Sequence, residues 1–156
     1  MINLLLADDV KDDRLFFDIA LRDVDTPVRL QAVTDGEKLM TFLSIHIFDL
    51  PDIVFLDLNM PRKTGLECLR EIKQDPRLCV LPVVVYSTCV REDIADTLYH
   101  MGALYYIQKT DIPRLQNVLR TLLRQLIQKK LSRPDRTQFM YTAETTMNPS
   151  IENMIQ

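Results

Sequence analysis

Three carboxylates in this chain stand where buried strands would end. Asp8 and Asp9 close the apolar run Ile2–Ala7, and Asp57 closes Ile53-Val54-Phe55-Leu56. If those runs are neighbouring strands, the three acids meet in one cleft. Like charges that close repel, so the cluster is costly without a cation. Two more polar groups follow apolar runs in the same way. Ser87 comes after Val83-Val84-Val85-Tyr86, and Lys109 after Leu104-Tyr105-Tyr106-Ile107-Gln108. Acids, a hydroxyl and an amine at successive strand ends are parts for handling a phosphoryl group. Magnesium takes oxygen ligands at about 2.0–2.1 Å and keeps several waters. Two carboxylates and a backbone carbonyl leave room for those waters and a phosphate oxygen. An amine and a hydroxyl can hold the other phosphoryl oxygens. A carboxylate nucleophile gives an acyl phosphate.

Singly, each group has an ordinary explanation. An acid at a strand end is often a helix cap, Ser87-Thr88 suits a turn, and Lys109 suits a solvated surface. Tyr106 suits a core. The pattern gains weight because the polar groups fall at the same relative place in successive units.

The elements that must position them alternate. Ile2–Ala7, Ile53–Leu56, Pro82–Tyr86 and Leu104–Ile107 are short, continuous apolar runs, as parallel strands covered on both faces are. Val28–Val33 alternates instead, which suits an edge strand. Five helical patterns lie between and after. Leu15, Phe16, Ile19 and Ala20 form the first stripe, with Asp12 as its N-cap. Leu39, Phe42, Leu43 and His46 form the second. Leu66, Leu69 and Ile72 form the third, which stops near Asp75-Pro76. Ile94, Ala95, Leu98 and Met101 form the fourth, ended by Gly102. The fifth runs from about Ile112 to Leu131, with Pro113 in its first turn. Right-handed crossovers then give an α/β doubly wound, five-stranded parallel sheet in the order 2-1-3-4-5. Its switch point lies between the first and third strands, where Asp8, Asp9 and Asp57 emerge.

The chain has 156 residues, enough for one domain with a sizeable core. Its net charge of −3 argues against a surface for DNA or RNA. No apolar stretch approaches the roughly 18 residues of a membrane span. The N-terminus lacks the cationic segment of a signal peptide. Three cysteines, Cys68, Cys79 and Cys89, have no metal-type spacing and read as reduced thiols in a cytoplasmic protein. Two histidines, His46 and His100, argue against a His-rich zinc site. Past Leu131 the pattern breaks at Ser132-Arg133-Pro134-Asp135. Residues 132–156 are a C-terminal tail, either loosely attached or docked on the domain or a partner through Phe139, Met140, Tyr141, Ile151, Met154 and Ile155. Asn148-Pro149-Ser150 suits the start of a terminal helical turn.

With Ala7-Asp8-Asp9, Asp57-Leu58-Asn59-Met60-Pro61 with Gly65, Tyr86-Ser87-Thr88 and Tyr106-Ile107-Gln108-Lys109 taken together, residues 2–130 resemble the receiver domain of two-component response regulators. The segment 57–69 is most similar to stand-alone receivers serving phytochrome-type and other hybrid histidine kinases. The resemblance implies a CheY-like, flavodoxin-like (βα)5 fold over residues 1–131, with a C-terminal extension. It implies a phosphoacceptor switch rather than a turnover enzyme, with Asp57 taking the phosphoryl group from a histidine kinase or phosphotransfer protein. Asp9, Asp57 and the Asn59 carbonyl would bind Mg2+ directly, and Asp8 mostly through water. Ser87 would hydrogen-bond the phosphoryl group. Lys109 would pair with Asp57 before phosphorylation and with a phosphoryl oxygen after it. Tyr106 matches the aromatic switch that turns inward when Ser87 moves toward the phosphate.

Three positions depart from the family pattern. Thr110 follows Lys109 where relatives usually carry a cis proline. A cis bond there would cost about 2.5–4 kcal/mol, so a trans bond or a shifted loop is expected. Thr88 is larger than the small residue often found beside the switch hydroxyl. Cys89 stands where a polar side chain in relatives can orient hydrolytic water, and a thiol is a poor partner for water. Slow hydrolysis of phospho-Asp57 is the expectation.

Two other classes fit less well. A magnesium-dependent phosphatase with an aspartyl-phosphate intermediate typically carries an acid two positions after its nucleophile, where Asn59 stands here. A flavodoxin-like cofactor carrier needs a phosphate-accepting first loop, and Asp8-Asp9-Val10-Lys11-Asp12-Asp13 would repel one. No output domain follows in the sequence, so the signal is expected to leave by protein–protein contact. Leu123, Ile127 and Leu131 widen the fifth helix's stripe. They read first as a core edge and second as a homodimer surface or a dock for the tail.

Overall fold

The computed structural model describes residues 1–143. Six parallel strands form one sheet, in the order β2-β1-β3-β4-β5-β6. They are β1 (Ile2–Ala7), β2 (Val28–Val33), β3 (Ile53–Leu56), β4 (Val83–Ser87), β5 (Tyr105–Gln108) and β6 (Met140–Tyr141). Among the described residues five α-helices connect and follow them, α1 (Lys11–Arg22), α2 (Gly36–Ile45), α3 (Gly65–Gln74), α4 (Glu92–Met101) and α5 (Ile112–Ile127), with a 3-10 turn at Arg136–Gln138 before β6. The expected five-strand order is observed, with a short sixth strand added beside β5.

Strand alternation divides the core into two layers. Leu4, Leu6, Phe55, Val84, Tyr86 and Ile107 face α1 and α5, where Phe17, Leu119 and Leu122 meet them. Leu5, Ala7, Val54, Leu56, Val83, Val85 and Tyr106 face α2, α3 and α4, where Leu43, Leu69 and Leu98 meet them. The strands β1, β3 and β4 are almost wholly buried, which is why they read as unbroken apolar runs. β2 exposes Arg29, Gln31 and Ala32, as an edge strand does.

Helix starts are set locally. Asp35 accepts a hydrogen bond from the Lys38 amide at 2.8 Å and opens α2. Thr64 and Glu67 form a reciprocal capping box at the start of α3, worth about 1 kcal/mol. Asp111 accepts from the Arg114 amide at 3.0 Å and opens α5. Gly102, at φ 99°, ends α4 in the left-handed region that glycine occupies without penalty.

Three expectations are corrected. α1 begins at Lys11, with Val10 at its cap position, so Asp12 lies in the first turn and does not cap it. Its buried face is Phe17, Ala20 and Leu21. Leu15 and Phe16 are each about half exposed (49%), so the expected stripe was rotated toward solvent. α5 ends at Ile127, because Lys129 takes a positive φ of 56° that a helix cannot continue. Leu123 is buried and Leu131 packs against the core, as a core edge requires, while Ile127 remains exposed.

The chain after α5 returns across α4. The Arg136 guanidinium meets Glu92 at 2.7 Å and Asp96 at 2.8 Å. The Arg133 guanidinium lies over the Tyr99 ring and donates to the Tyr99 carbonyl. The Tyr99 hydroxyl donates to the Pro134 carbonyl at 3.0 Å. Phe139 is fully buried against Tyr99 and Tyr106. Met140 and Tyr141 then pair with Tyr106 and Ile107. The expected contacts of Ile151, Met154 and Ile155, and the turn at Asn148-Pro149-Ser150, lie outside the described residues.

Candidate functional site

Register brings the acids level. Ala7 pairs with Leu56 across β1 and β3, so the next residue of each strand, Asp8 and Asp57, leaves the sheet at the same height. The Asp57 amide donates to the Ala7 carbonyl at 2.9 Å. Oxygens of Asp8, Asp9 and Asp57 lie within 4.8 Å of one another. Asp8 is fully buried and Asp57 is 4% exposed, while Asp9 faces solvent. Gly65 is required below: a methyl group there would run into the Asp57 carbonyl oxygen.

Lys109 reaches the cluster from the other side of β4. Its amide donates to the Ser87 carbonyl at 2.7 Å, which continues the β4–β5 ladder one residue past the strands. Its Nζ lies 2.8 Å from Asp8 Oδ2, 2.8 Å from Asp13 Oδ2 and 3.2 Å from Asp57 Oδ2. The Tyr86 ring lies 5.4 Å from the ammonium. Among the described residues there is no cis peptide bond, so Lys109-Thr110 is trans and the amine still reaches Asp57.

The electrostatics follow from burial. Burial pushes the Asp57 carboxyl above its ordinary value and Asp8 adds to that, against the pull of Lys109 and the Asn59 amide. Burial alone would lower the Lys109 ammonium. Hydrogen bonds to Asp13 and Asp8 and the charge of Asp57 outweigh it and hold the group well above its usual range. One ammonium therefore faces several carboxylates, and the surplus negative charge is what a divalent cation would neutralise.

Asp8 and Asp57 each have both carboxylate oxygens partnered by the protein, one by a backbone amide and the other by Lys109. Asp8 Oδ1 accepts from the Val10 amide at 3.0 Å and Oδ2 faces Lys109. Asp57 Oδ1 accepts from the Asn59 amide at 3.2 Å. Asp9 is exposed and Asn59 follows Asp57 at the same rim. Three carboxylates whose oxygens converge are a donor set that suits a hard divalent cation.

Ser87 ends β4 on the sheet face of Val83 and Val85 and is 1% exposed. Tyr106 is buried, with its hydroxyl donating to the Cys89 carbonyl at 3.1 Å and accepting from the Arg91 amide at 3.4 Å. It thus rests beneath the loop that Ser87 opens. Every expected site residue gathers at this end of the sheet. Asp13 was missed. It sits in an acidic run, and only the placement of α1 over the sheet separates it from its neighbours.

Comparisons with known proteins identify the family of the fold. The response regulator receiver domain model matches residues 4–120. Response regulator Rcp1 of Synechocystis sp. is 34% identical over 111 residues, covering 69% of this chain and 76% of that protein. The Mn(2+)-bound form of Rcp1 is similar in structure, with a TM-score of 0.71 at 29% identity over 86% of this chain and 99% of that one. The phosphorylated cyanobacterial phytochrome response regulator RcpA is similar at a TM-score of 0.73 and 32% identity, over 82% and 95%. The chain belongs to the response regulator receiver domain family. It is homologous to stand-alone response regulators of two-component signalling. No helix among the described residues is long and apolar enough to cross a membrane.

Proposed function

We propose that this protein is a phosphorelay switch whose phosphoacceptor is Asp57. The observation that carries the reading is the position of the Asp57 carboxylate, within 4.8 Å of the Asp8 and Asp9 oxygens and 3.2 Å from the Lys109 ammonium. A carboxylate oxygen of Asp57 attacks the phosphorus of a phosphohistidine on a histidine kinase or phosphotransfer protein. The new O–P bond forms, the P–N bond breaks, and the imidazole leaves with the bonding pair and takes up a proton. Mg2+, held by Asp9, Asp57 and the Asn59 carbonyl with Asp8 behind water, would neutralise the charge that gathers on the transferred group. The exposure of Asp9 beside the buried Asp8 and Asp57 supports a direct role for Asp9. Lys109 and the Ser87 hydroxyl hold the remaining phosphoryl oxygens. Tyr106, under the loop from Ser87 to Arg91, senses the movement of Ser87 toward the phosphoryl group.

Val10, Leu15 and Phe16 are exposed on the loop and helix beside the acids and suit an apolar contact with the phosphoryl donor. Hydrolysis of the acyl phosphate is slow, because the Cys89 side chain orients water poorly; Cys89→Glu speeds it. The three free cysteines suit a reducing compartment such as the cytoplasm. Residues 132–143 belong to the same folded unit as residues 1–131, which the buried Phe139 and the Arg136 ion pairs support. A homodimer through α5 has less support, since Leu123 is buried beneath that helix.

Incubation with acetyl phosphate and Mg2+ tests the reading. A stable phosphoryl adduct lost in Asp57→Asn supports it. Rapid multiple turnover would favour a phosphatase, and absence of both would mean a receiver that takes no phosphate.

A further inference from the structure

We propose that Asp13 is a positioning residue for Lys109: it holds the amine at the mouth of the site and keeps its charge from settling on the cation-binding acids. This inference rests on the reading of Asp8, Asp9 and Asp57 as a cation site.

An ammonium has three N–H donors. Those of Lys109 face three carboxylates, and two of the three contacts, at 2.8 Å, go to Asp8 and Asp13 rather than to Asp57 at 3.2 Å. Asp13 thus takes one full share of the amine's capacity. It lies outside the group of oxygens that converge within 4.8 Å, so it is not placed to bind the cation itself. The contact is sheltered: the Lys109 side chain is 10% exposed and that of Asp13 27% exposed, so solvent screens the pair only in part.

The first turn of α1 supplies the anchor. Asp13 comes from the helix, whereas Asp8 and Asp57 come from strand ends, so the amine is suspended between two structural layers. Without Asp13 the ammonium would have only Asp8 and Asp57 left among these partners. Its charge would then lie closer to oxygens that must face a divalent cation, and cation binding would weaken. Asp13 thereby acts through Lys109. Asp12, one residue earlier in the same turn, is exposed and offers a matched control for the loss of a helix-terminal charge.

The test is Mn2+ titration of the full chain followed by water-proton relaxation, with unfolding curves for each variant. Asp13→Asn should raise the Mn2+ Kd by about fivefold, the scale of one partly exposed charge pair. Asp12→Asn should leave it unchanged, and Asp13→Glu should restore part of the loss. In a Lys109→Ala background, Asp13→Asn should have little further effect. Equal affinities for Asp13→Asn and Asp12→Asn would overturn the role of Asp13 while leaving the cation site intact. An undiminished effect in the Lys109→Ala background would mean that Asp13 acts on the cation directly, and would also overturn it. A wild-type chain that binds no Mn2+ would bring down the cation-site reading and this proposal together.

Discussion

The Tyr106 amide donates a hydrogen bond to the Phe139 carbonyl at 3.0 Å, and the Phe139 ring packs 6.5 Å from the Tyr106 ring. The strand that carries Tyr106 is therefore stitched, by backbone and side chain, to the segment after α5. Tyr106 is already buried in this arrangement, with its hydroxyl on the Cys89 carbonyl.

Phe139→Ala should cost about 3 kcal/mol or more of folding stability, as truncation of a fully buried aromatic does. Urea unfolding measures it. A loss under about 1 kcal/mol would mean that the segment does not pack on Tyr99 and Tyr106 in solution.

Arg136 is different in kind. Its partners Glu92 and Asp96 are largely exposed, so Arg136→Ala should cost only about 1 kcal/mol despite two ion pairs. The same unfolding assay, repeated in high salt, should shrink the difference between wild type and variant.

Gly65→Ala should impair the site from beneath. The added methyl meets the Asp57 carbonyl oxygen, so the loop after β3 must shift. We expect a loss of about 2 kcal/mol in stability and slower labelling by acetyl phosphate. Unchanged labelling would show that the loop tolerates the shift.

The strand-end residues were legible because each follows a short apolar run fixed by a buried sheet. Asp8, Asp57, Ser87 and Lys109 all emerge at the same end for that reason. β2 announced its edge position by alternation. β6 did not announce itself. Two residues, Met140 and Tyr141, carry no period, and their pairing depends on a backbone edge that β5 leaves open. The phase of α1 misled for a related reason. Leu15 and Phe16 are as apolar as Phe17 and Leu21, and only contact with the sheet selects the latter pair. Asp13 was hidden by Asp12, its twin in type.

Cys68 should be chemically silent. It is buried, and burial pushes its thiol up to about 12, against a small pull from Lys63. At pH 8 the thiolate that reacts is scarce. Iodoacetamide should label Cys79 and Cys89, which are exposed, and reach Cys68 only on unfolding. The raised value also carries a pH sign. The stability tied to the protonated thiol is full below 9.0, the ordinary value, and is lost as pH rises from there toward about 12.

Asp57→Asn should stabilise the cation-free protein. A carboxyl raised in the folded state keeps its proton where the unfolded chain has lost one. The stability tied to that proton is present below the ordinary value of 3.8 and is lost as pH rises above it. Above that value, ionising the buried Asp57 carboxyl is a net cost that Asn removes. Thermal unfolding in chelator should show a higher midpoint for the variant at pH 7, with the gain shrinking toward pH 4.

Asp57 is one carboxylate among several crowded together, and which of them carries the transferred phosphoryl group is directly measurable. Borohydride reduces an acyl phosphate of aspartate to homoserine, so reduction after acetyl phosphate treatment followed by peptide sequencing locates it. Homoserine is expected at position 57 alone, and only when Mg2+ was present. Homoserine at position 8, 9 or 13, or labelling at position 57 that is indifferent to the cation, would contradict it.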